Sequence, residues 1–346
     1  MAKTTNTESV ATPELLNSIA AEASEAYQSA VPTANLLNLS DVANPILTYS
    51  TVANEFLDAL FNKVIATIVY RQMWDNPLAV LRKDPEALGY DVEELQTNPA
   101  TAANYDGTDT GLADILTVQK PDSAAAWYRL NRQDKYKVTI NNEQLTSAFT
   151  SWGTLDNFIG QITDSLYNGN TIGEFAYTKQ IINDALTANQ LRTVQTVMPV
   201  DESTGKQFMS TLRNLSLQFT FPSTEYNCYT LMGGTGNPRV TWSPISRQVI
   251  LVRADVASAV GVEVLAAAFN LNYSDYLARQ IIVDSFDDDD RCLAVLCDER
   301  AFQIREKLRR FATFYNASGL SWQYYYHAWD TFSLSPFHNL VALTTT

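Results

Sequence analysis

The chain has 346 residues, 46% of them hydrophobic and 11% aromatic, and carries a formal net charge of −14. That apolar mass is enough to fold without disulfides or a structural metal, and the length predicts two or three subdomains. The acidic balance excludes a free-standing nucleic-acid binder, which gains most of its affinity by neutralising phosphates. No stretch approaches the roughly 20 apolar residues of a membrane-spanning helix, and no charged segment leads into an apolar run at the N-terminus. A soluble protein with no membrane partner is expected.

Residues 1–50 read as an arm, small and polar apart from PELLNSIAAEASEAY, where Leu15, Leu16, Ile19, Ala23 and Ala26 share a helical face. The segment between Pro32 and Pro45 is expected to run extended. Residues 51–71 start as a helix around Phe56, Leu57, Leu60 and Phe61, and the β-branched VIATIVY then predicts a strand. From 72 to 136 prolines and glycines punctuate a polar excursion too long for an ordinary loop. It returns through KYKVTIN, where Tyr136, Val138 and Ile140 alternate with polar neighbours as in a half-exposed strand.

Leu155, Phe158, Ile159, Ile162 and Leu166 hold one helical face, with Thr154 or Asp156 as the cap; after a Gly169–Gly173 break the pattern resumes to about Asn189. A helix pair, or one kinked helix, is expected there. Beyond Leu191 strands and helices intermix: RQVILVRADV, QIIVDSF and RCLAVLC read as strands, and REKLRRFATFY reads as a helix. The last two strands are expected to join across Asp287–Asp290. The fold class is therefore α+β. Near the end, SWQYYYHAWDTF loads rings on both faces, Trp322, Tyr324 and Tyr326 against Tyr325, His327 and Trp329. Such a strand needs cover on both sides, from its own core and from a second domain or subunit.

The residues offer little chemistry. Cys228, Cys292 and Cys297 make no closed disulfide framework, and Cys292 and Cys297 fall on opposite faces of a regular strand. With only His327 and His338, neither a hydrolytic triad nor a zinc site is spelled out. Asp284 with Asp287–Asp290 holds carboxylates for a calcium ion but lacks the glycine and terminal glutamate of an EF-hand loop, so a solvated turn is the plainer reading. GGTGNP at 233–238 lacks the Lys-Ser/Thr of a phosphate loop and reads as a turn. No catalytic residue, cofactor or metal site is assigned.

Two basic clusters stand out, one at Arg305, Lys307, Arg309 and Arg310 and one at Arg129, Arg132, Lys135 and Lys137. The second, at the return of the long excursion, is the candidate intersubunit contact: a cationic strip docking on acidic surface of a neighbouring copy. A self-assembling structural subunit is the leading expectation. The alternative is an acidic soluble hydrolase or carbohydrate-binding protein that stacks ligands on Trp152, Trp322 and Trp329.

Four collinear segments carry a resemblance. AFTSWGTLDNFIGQITDSLYN, VLAAAFNLNYSDYL, GLSWQYYYHAWDTFSLSPF and WYRLNRQDKYKVTINNEQLTSAF are similar to the major capsid proteins of small short-tailed bacteriophages of the phi-twenty-nine group. The likeness extends from about Ala53 to Leu343. It implies the Hong Kong 97 capsid fold, with an N-terminal arm (1–50), an extended loop (72–136), a peripheral domain with a long spine helix (51–71, 137–190 and 320–346) and an axial domain (191–319). It implies self-assembly into pentamers and hexamers of an icosahedral shell that encloses double-stranded DNA without sequence-specific binding. It further implies assembly in the bacterial host cytoplasm, with a scaffolding protein and a portal as partners and the virion as destination. Some members carry an immunoglobulin-like domain after the final strand; the sequence ends at Thr346 without one, and no role of that appendage is carried over.

Overall fold

In the computed structural model the described residues are 8–66, 74–102, 118, 120–260, 280–286 and 291–345. They fall into two compact units: Met1–Asp75, Gln133–Gly173 and Leu308–Trp329 form the first, and Asn76–Arg132, Glu174–Lys307 and Asp330–Thr346 the second.

The first unit begins with helices α1 (Glu8–Glu22), α2 (Glu25–Ala30), α3 (Leu39–Thr48) and α4 (Ser50–Ala66). The stretch between Pro32 and Pro45 is thus not extended throughout. Pro45 sits inside α3, where Val42, Ala43 and Ile46 turn inward; burying that face outweighs the lost backbone bond. The expected switch from helix to strand at VIATIVY is overturned over its first residues, since α4 runs through Val64, Ile65 and Ala66; residues 67–71 lie outside the described ones. Phe56, Leu57 and Leu60 of α4 join Leu16, Ile19, Ile46, Trp322 and Tyr324 in one core.

Helix α5 (Asn142–Ala148) and helix α6 (Trp152–Thr187) follow. Helix α6 has 36 residues and at 1.5 Å per residue is about 54 Å long. Its cap is Ser151 rather than Thr154 or Asp156: the Thr154 N–H donates to Ser151 Oγ at 3.2 Å, and the Ser151 N–H donates back to Thr154 Oγ1 at 2.9 Å. The expected break at Gly169–Gly173 is absent, and the helix runs straight through in its hydrogen bonding. Gly169 has a packing reason instead, because a Cβ there would lie 3.2 Å from the Tyr136 ring.

Strands β3 (Arg132–Asn141), β8 (Phe302–Asn316) and β9 (Ser321–Leu334) form a three-stranded sheet in the order β3-β9-β8. The helix expected at REKLRRFATFY is therefore a strand. Leu308 and Phe311 have helical spacing, but the cross-strand ring pairs Phe311–Tyr326 (4.7 Å between centroids) and Tyr315–Trp322 (5.2 Å) fix the hairpin. Tertiary packing overrides local propensity here. On β9, Trp322, Tyr324 and Tyr326 are buried, while Gln323, Tyr325, His327 and Trp329 on the other face are half-buried.

The second unit is built on a five-stranded sheet, β4-β10-β7-β5-β6, from β4 (Arg192–Gln195), β5 (Gln248–Arg253), β6 (Gln280–Val283), β7 (Cys292–Asp298) and β10 (Leu340–Thr344). Strands β6 and β7 are not neighbours, as an acidic turn joining them would suggest; β5 lies between them, parallel to β6 and antiparallel to β7. Every residue of β7 is buried, because both faces are covered. Helix α7 (Glu202–Gln218) places Phe208, Met209, Leu212 and Leu215 on one side. Ile182 and Ala185 of α6, with Phe302 and Phe332, cover the other. Cys292 and Cys297 belong to the same core cluster rather than to opposite faces. The register slips between Leu343 and Thr344, where Thr344 pairs with Cys292, and that irregularity shifts the alternation. A short helix, α8 (Ala254–Val260), follows β5; the Asp255 carboxylate accepts from the Val256 N–H and from Arg253 at this start.

Candidate assembly surfaces

Strands β1 (Val92–Thr97) and β2 (Ser123–Tyr128) pair antiparallel as a two-stranded ribbon, with Glu93 opposite Trp127 and Leu95 opposite Ala125. A ribbon of two strands is marginal by itself, so its anchoring decides its stability. One face is anchored by Glu94. Its carboxylate accepts from Tyr128 Oη and from Ser335 Oγ (2.7 Å), and it lies 2.8 Å from His338 Nε2. Burial pushes this carboxyl upward, but the hydrogen bonds from His338, Tyr128 and Ser335 outweigh it and leave the group below its ordinary value. Further along, Gln96 donates to the Val240 carbonyl, and Arg239 reaches the Asp122 carboxylate at 2.9 Å.

The segment leading into the ribbon is fastened along β8. The Lys83 and Glu86 N–H groups donate to the Ile304 and Glu306 carbonyls at 2.9 and 2.8 Å. Lys307 is buried, with its ammonium 3.0 Å from Glu86 and 2.6 Å from the Tyr90 carbonyl. Arg82 bridges Glu174 and Glu306. Of the Arg305–Arg310 cluster, Lys307 thus works inside its own chain, Arg305 reaches the Asp84 carbonyl, and Arg310 is exposed.

The ribbon's other face is open among the described residues. Leu95 is 66% exposed and Trp127 59%, with Glu93 and Thr97 exposed beside them. Nothing in the sequence reading picked out these residues. The alternation of VEELQT marks a strand there, but nothing local says which of its faces is open.

The four cations of the proposed strip part company. Arg132 is 1% exposed; its guanidinium meets Asp330 at 2.9 Å and lies over the rings of Tyr177 and Phe332. It cannot dock on a neighbour's surface, and it leaves the set. Arg129 is exposed in the second unit and pairs with Asp91 at 2.9 Å. Lys135 and Lys137 are exposed on β3 in the first unit, with Lys137 Nζ 5.7 Å from the Tyr325 ring centroid.

Other sequence candidates resolve locally. Asp284 is taken by Lys179, whose ammonium lies 2.7 Å from both of its oxygens; Asp287–Asp290 lie outside the described residues. Gly233 and Gly236 have φ of +84° and +96°, left-handed turn conformations that glycine adopts without steric cost. Trp322 is buried with its indole N–H on Asn54, and Trp152 donates to the Leu36 carbonyl at 3.1 Å. They are packing residues rather than parts of one stacking platform. Among the described residues no group of three or more His, Cys, Asp or Glu side chains is placed to hold a metal ion.

Comparison with known proteins follows the same lines. Residues 16–344 match the family model described as Phi29-like phage major capsid protein. The major capsid protein of Bacillus phage B103 is 31% identical over 336 residues, covering 96% of this chain and 72% of the relative. That of Streptococcus phage Cp-1 is 27% identical, covering 94% of this chain and 92% of the relative. Among solved structures, a chain from the capsid of Staphylococcus phage Andhra aligns with a TM-score of 0.65 at 15% identity, over 81% of this chain and 87% of that one. A chain from a structure of native bacteriophage P68 aligns at 0.61 with 16% identity and the same coverages. The fold is that of Hong Kong 97-type phage capsid proteins, the hydrolase alternative finds no support, and the chain belongs to the Phi29-like phage major capsid protein family, whose members are structural rather than enzymatic.

Proposed function

We propose that copies of this subunit form pentamers and hexamers that close into an icosahedral shell around packaged double-stranded DNA. Assembly would take place in the cytoplasm of the bacterial host, with a scaffolding protein directing curvature and a portal at one vertex. In this reading residues 1–50 are the arm, 72–136 the extended loop, 51–71, 137–190 and 320–346 the peripheral domain, and 191–319 the axial domain. Ring closure needs heterologous interfaces, in which different patches of one subunit meet those of the next.

The observation that carries this reading is the two-faced ribbon of β1 and β2. Its inner face is held by Glu94, and its outer face offers Leu95 and Trp127 to solvent. Large apolar side chains left open on an anchored ribbon are what a subunit presents to a neighbour. Lys135 and Lys137, together with Arg129, supply the cationic complement that an acidic chain of net charge −14 needs in order to self-associate. The acidic balance also suits a container, because an acidic or neutral lining lets DNA move without sticking.

Expression of the chain with its scaffolding partner tests the proposal. Closed particles of uniform diameter in negative stain support it; a monomer at every concentration, with scaffold present, overturns it.

A further inference from the structure

The turn at residues 33–38 in the first unit is held from three sides. Asn17 of α1 clamps Ala34 through its whole amide: Nδ2 donates to the Ala34 carbonyl at 2.9 Å, and the Ala34 N–H donates to Oδ1 at 2.6 Å. Asn38 braces the turn from within, donating to the Thr33 carbonyl at 2.8 Å and accepting from the Asn35 N–H at 2.7 Å. The Trp152 indole N–H ties down the Leu36 carbonyl. A turn fixed this firmly nevertheless points its two leucines outward. Among the described residues Leu36 is 50% exposed and Leu37 96%. The same leucines border a recess of about 640 Å³, whose remaining wall includes Pro13, Glu14 and Asn17 of α1 and Ala34. Glu14 is the one ionisable residue among the seven that line it. An apolar knob and an apolar recess thus lie side by side on one surface.

Resting on the shell reading above, we infer that this patch meets its own copy on a second subunit across a two-fold axis, with Leu37 of each seated in the recess of the other. A two-fold interface uses the same patch on both sides, so that patch must carry both the inserting and the receiving part. The leucine turn and its recess meet that requirement. Contacts within a ring are heterologous, so this contact joins subunits of different rings.

Charge and size both favour a second copy as the occupant. Each copy carries a formal net charge of −14, and like-charged copies repel; this patch adds only Glu14 from each side to that repulsion. The hydrogen bonds of Asn17, Asn38 and Trp152 hold the leucines in place beforehand, so little freedom is lost when they dock. Seven lining residues are few beside the roughly 20–30 per side of a stable complex. The contact therefore forms between subunits already held in a shell and makes no lasting dimer of free ones.

Cysteines placed on the knob and on the rim of the recess test this, since the three native thiols are buried. In particles mixed from Leu37→Cys and Glu14→Cys chains, a disulfide between the two sites can only link two copies, and mild oxidation should give dimers on non-reducing gels. The Leu37→Cys/Glu14→Cys double variant should also give dimers and nothing larger, because a two-fold contact closes on itself. A ladder of multimers would mark a head-to-tail contact and overturn the inference. Mixed particles that form normally yet give only monomers overturn it while leaving the shell reading intact; absence of particles from the unaltered chain defeats the shell reading itself. If the variants fail to assemble, hydroxyl-radical footprinting of the unaltered chain decides. Oxidation of Leu36 and Leu37 should fall several-fold from free subunits to particles, with or without scaffolding protein inside. No fall overturns the inference. Protection only while scaffolding protein is present assigns the patch to that partner, and protection already in the free subunit assigns it to a segment of the same chain; either result overturns it too.

Discussion

Arg132 and Asp330 face each other at 2.9 Å with both side chains 1% exposed, and the pair closes off what the sequence offers as a docking cation. A buried charge left without its partner costs about 3–5 kcal/mol, whereas replacing both members by apolar residues is often neutral. Arg132→Ala should therefore destabilise the isolated subunit by about that amount, and Arg132→Met/Asp330→Leu should recover most of it. Chemical unfolding of the three proteins checks this. Equal stabilities for the single and double variants would remove the pair from the account.

Lys135→Glu/Lys137→Glu should behave in the opposite way. Exposed substitutions typically shift stability by less than about 0.5 kcal/mol, so the unfolding midpoint should hold. Particle yield, read by sedimentation, should fall at least several-fold. Normal yield would show that these lysines face solvent in the shell.

Glu94 gives the ribbon's anchor a pH signature. Its folded carboxyl titrates below the unfolded value of about 4.3. The native state therefore binds that proton less tightly than the unfolded chain does. The stabilisation is complete above the unfolded value and is lost as pH falls through the lower folded value. The thermal midpoint of the unaltered protein should exceed that of Glu94→Gln near neutral pH, and the gap should close in acid. A gap independent of pH would assign the effect to packing.

Gly234 tests the turn at 233–238. A Cβ there would sit 2.6 Å from three atoms of the Tyr229 ring. That ring stacks on Phe337 at 5.7 Å and has its hydroxyl on the Thr235 carbonyl at 2.6 Å, so it has little room to yield. Gly234→Ala should destabilise by about 1–3 kcal/mol, the usual cost of overpacking, while Gly205→Ala, which meets nothing within 4 Å, should be tolerated.

The thiols should be silent. Cys228, Cys292 and Cys297 are fully buried, and burial pushes Cys228 up to about 11. A thiol reagent at pH 8 should modify none of them until the chain unfolds.

The sequence makes legible what depends on a repeated local pattern. The spine helix shows through the spacing of Leu155, Ile159, Ile162 and Leu166, and the aromatic strand through its alternating rings. It misleads where a long-range contact decides. Phe311 reads as helical until Tyr326 is placed beside it. Gly169 reads as a breaker until Tyr136 is seen to need its missing side chain. Arg132 reads as a surface cation because its partner is 198 residues away. Glu94 and Trp127 were hidden for a related reason, since nothing local distinguishes the anchored face of a polar ribbon from its open one.

The most direct test of the central claim is electron cryomicroscopy of the chain produced alone and together with the scaffolding protein proposed for it. The account predicts closed shells of icosahedral symmetry, with the β1–β2 ribbon of each subunit lying on its neighbour. Soluble monomers, or particles in which Leu95 and Trp127 remain in solvent, would contradict it.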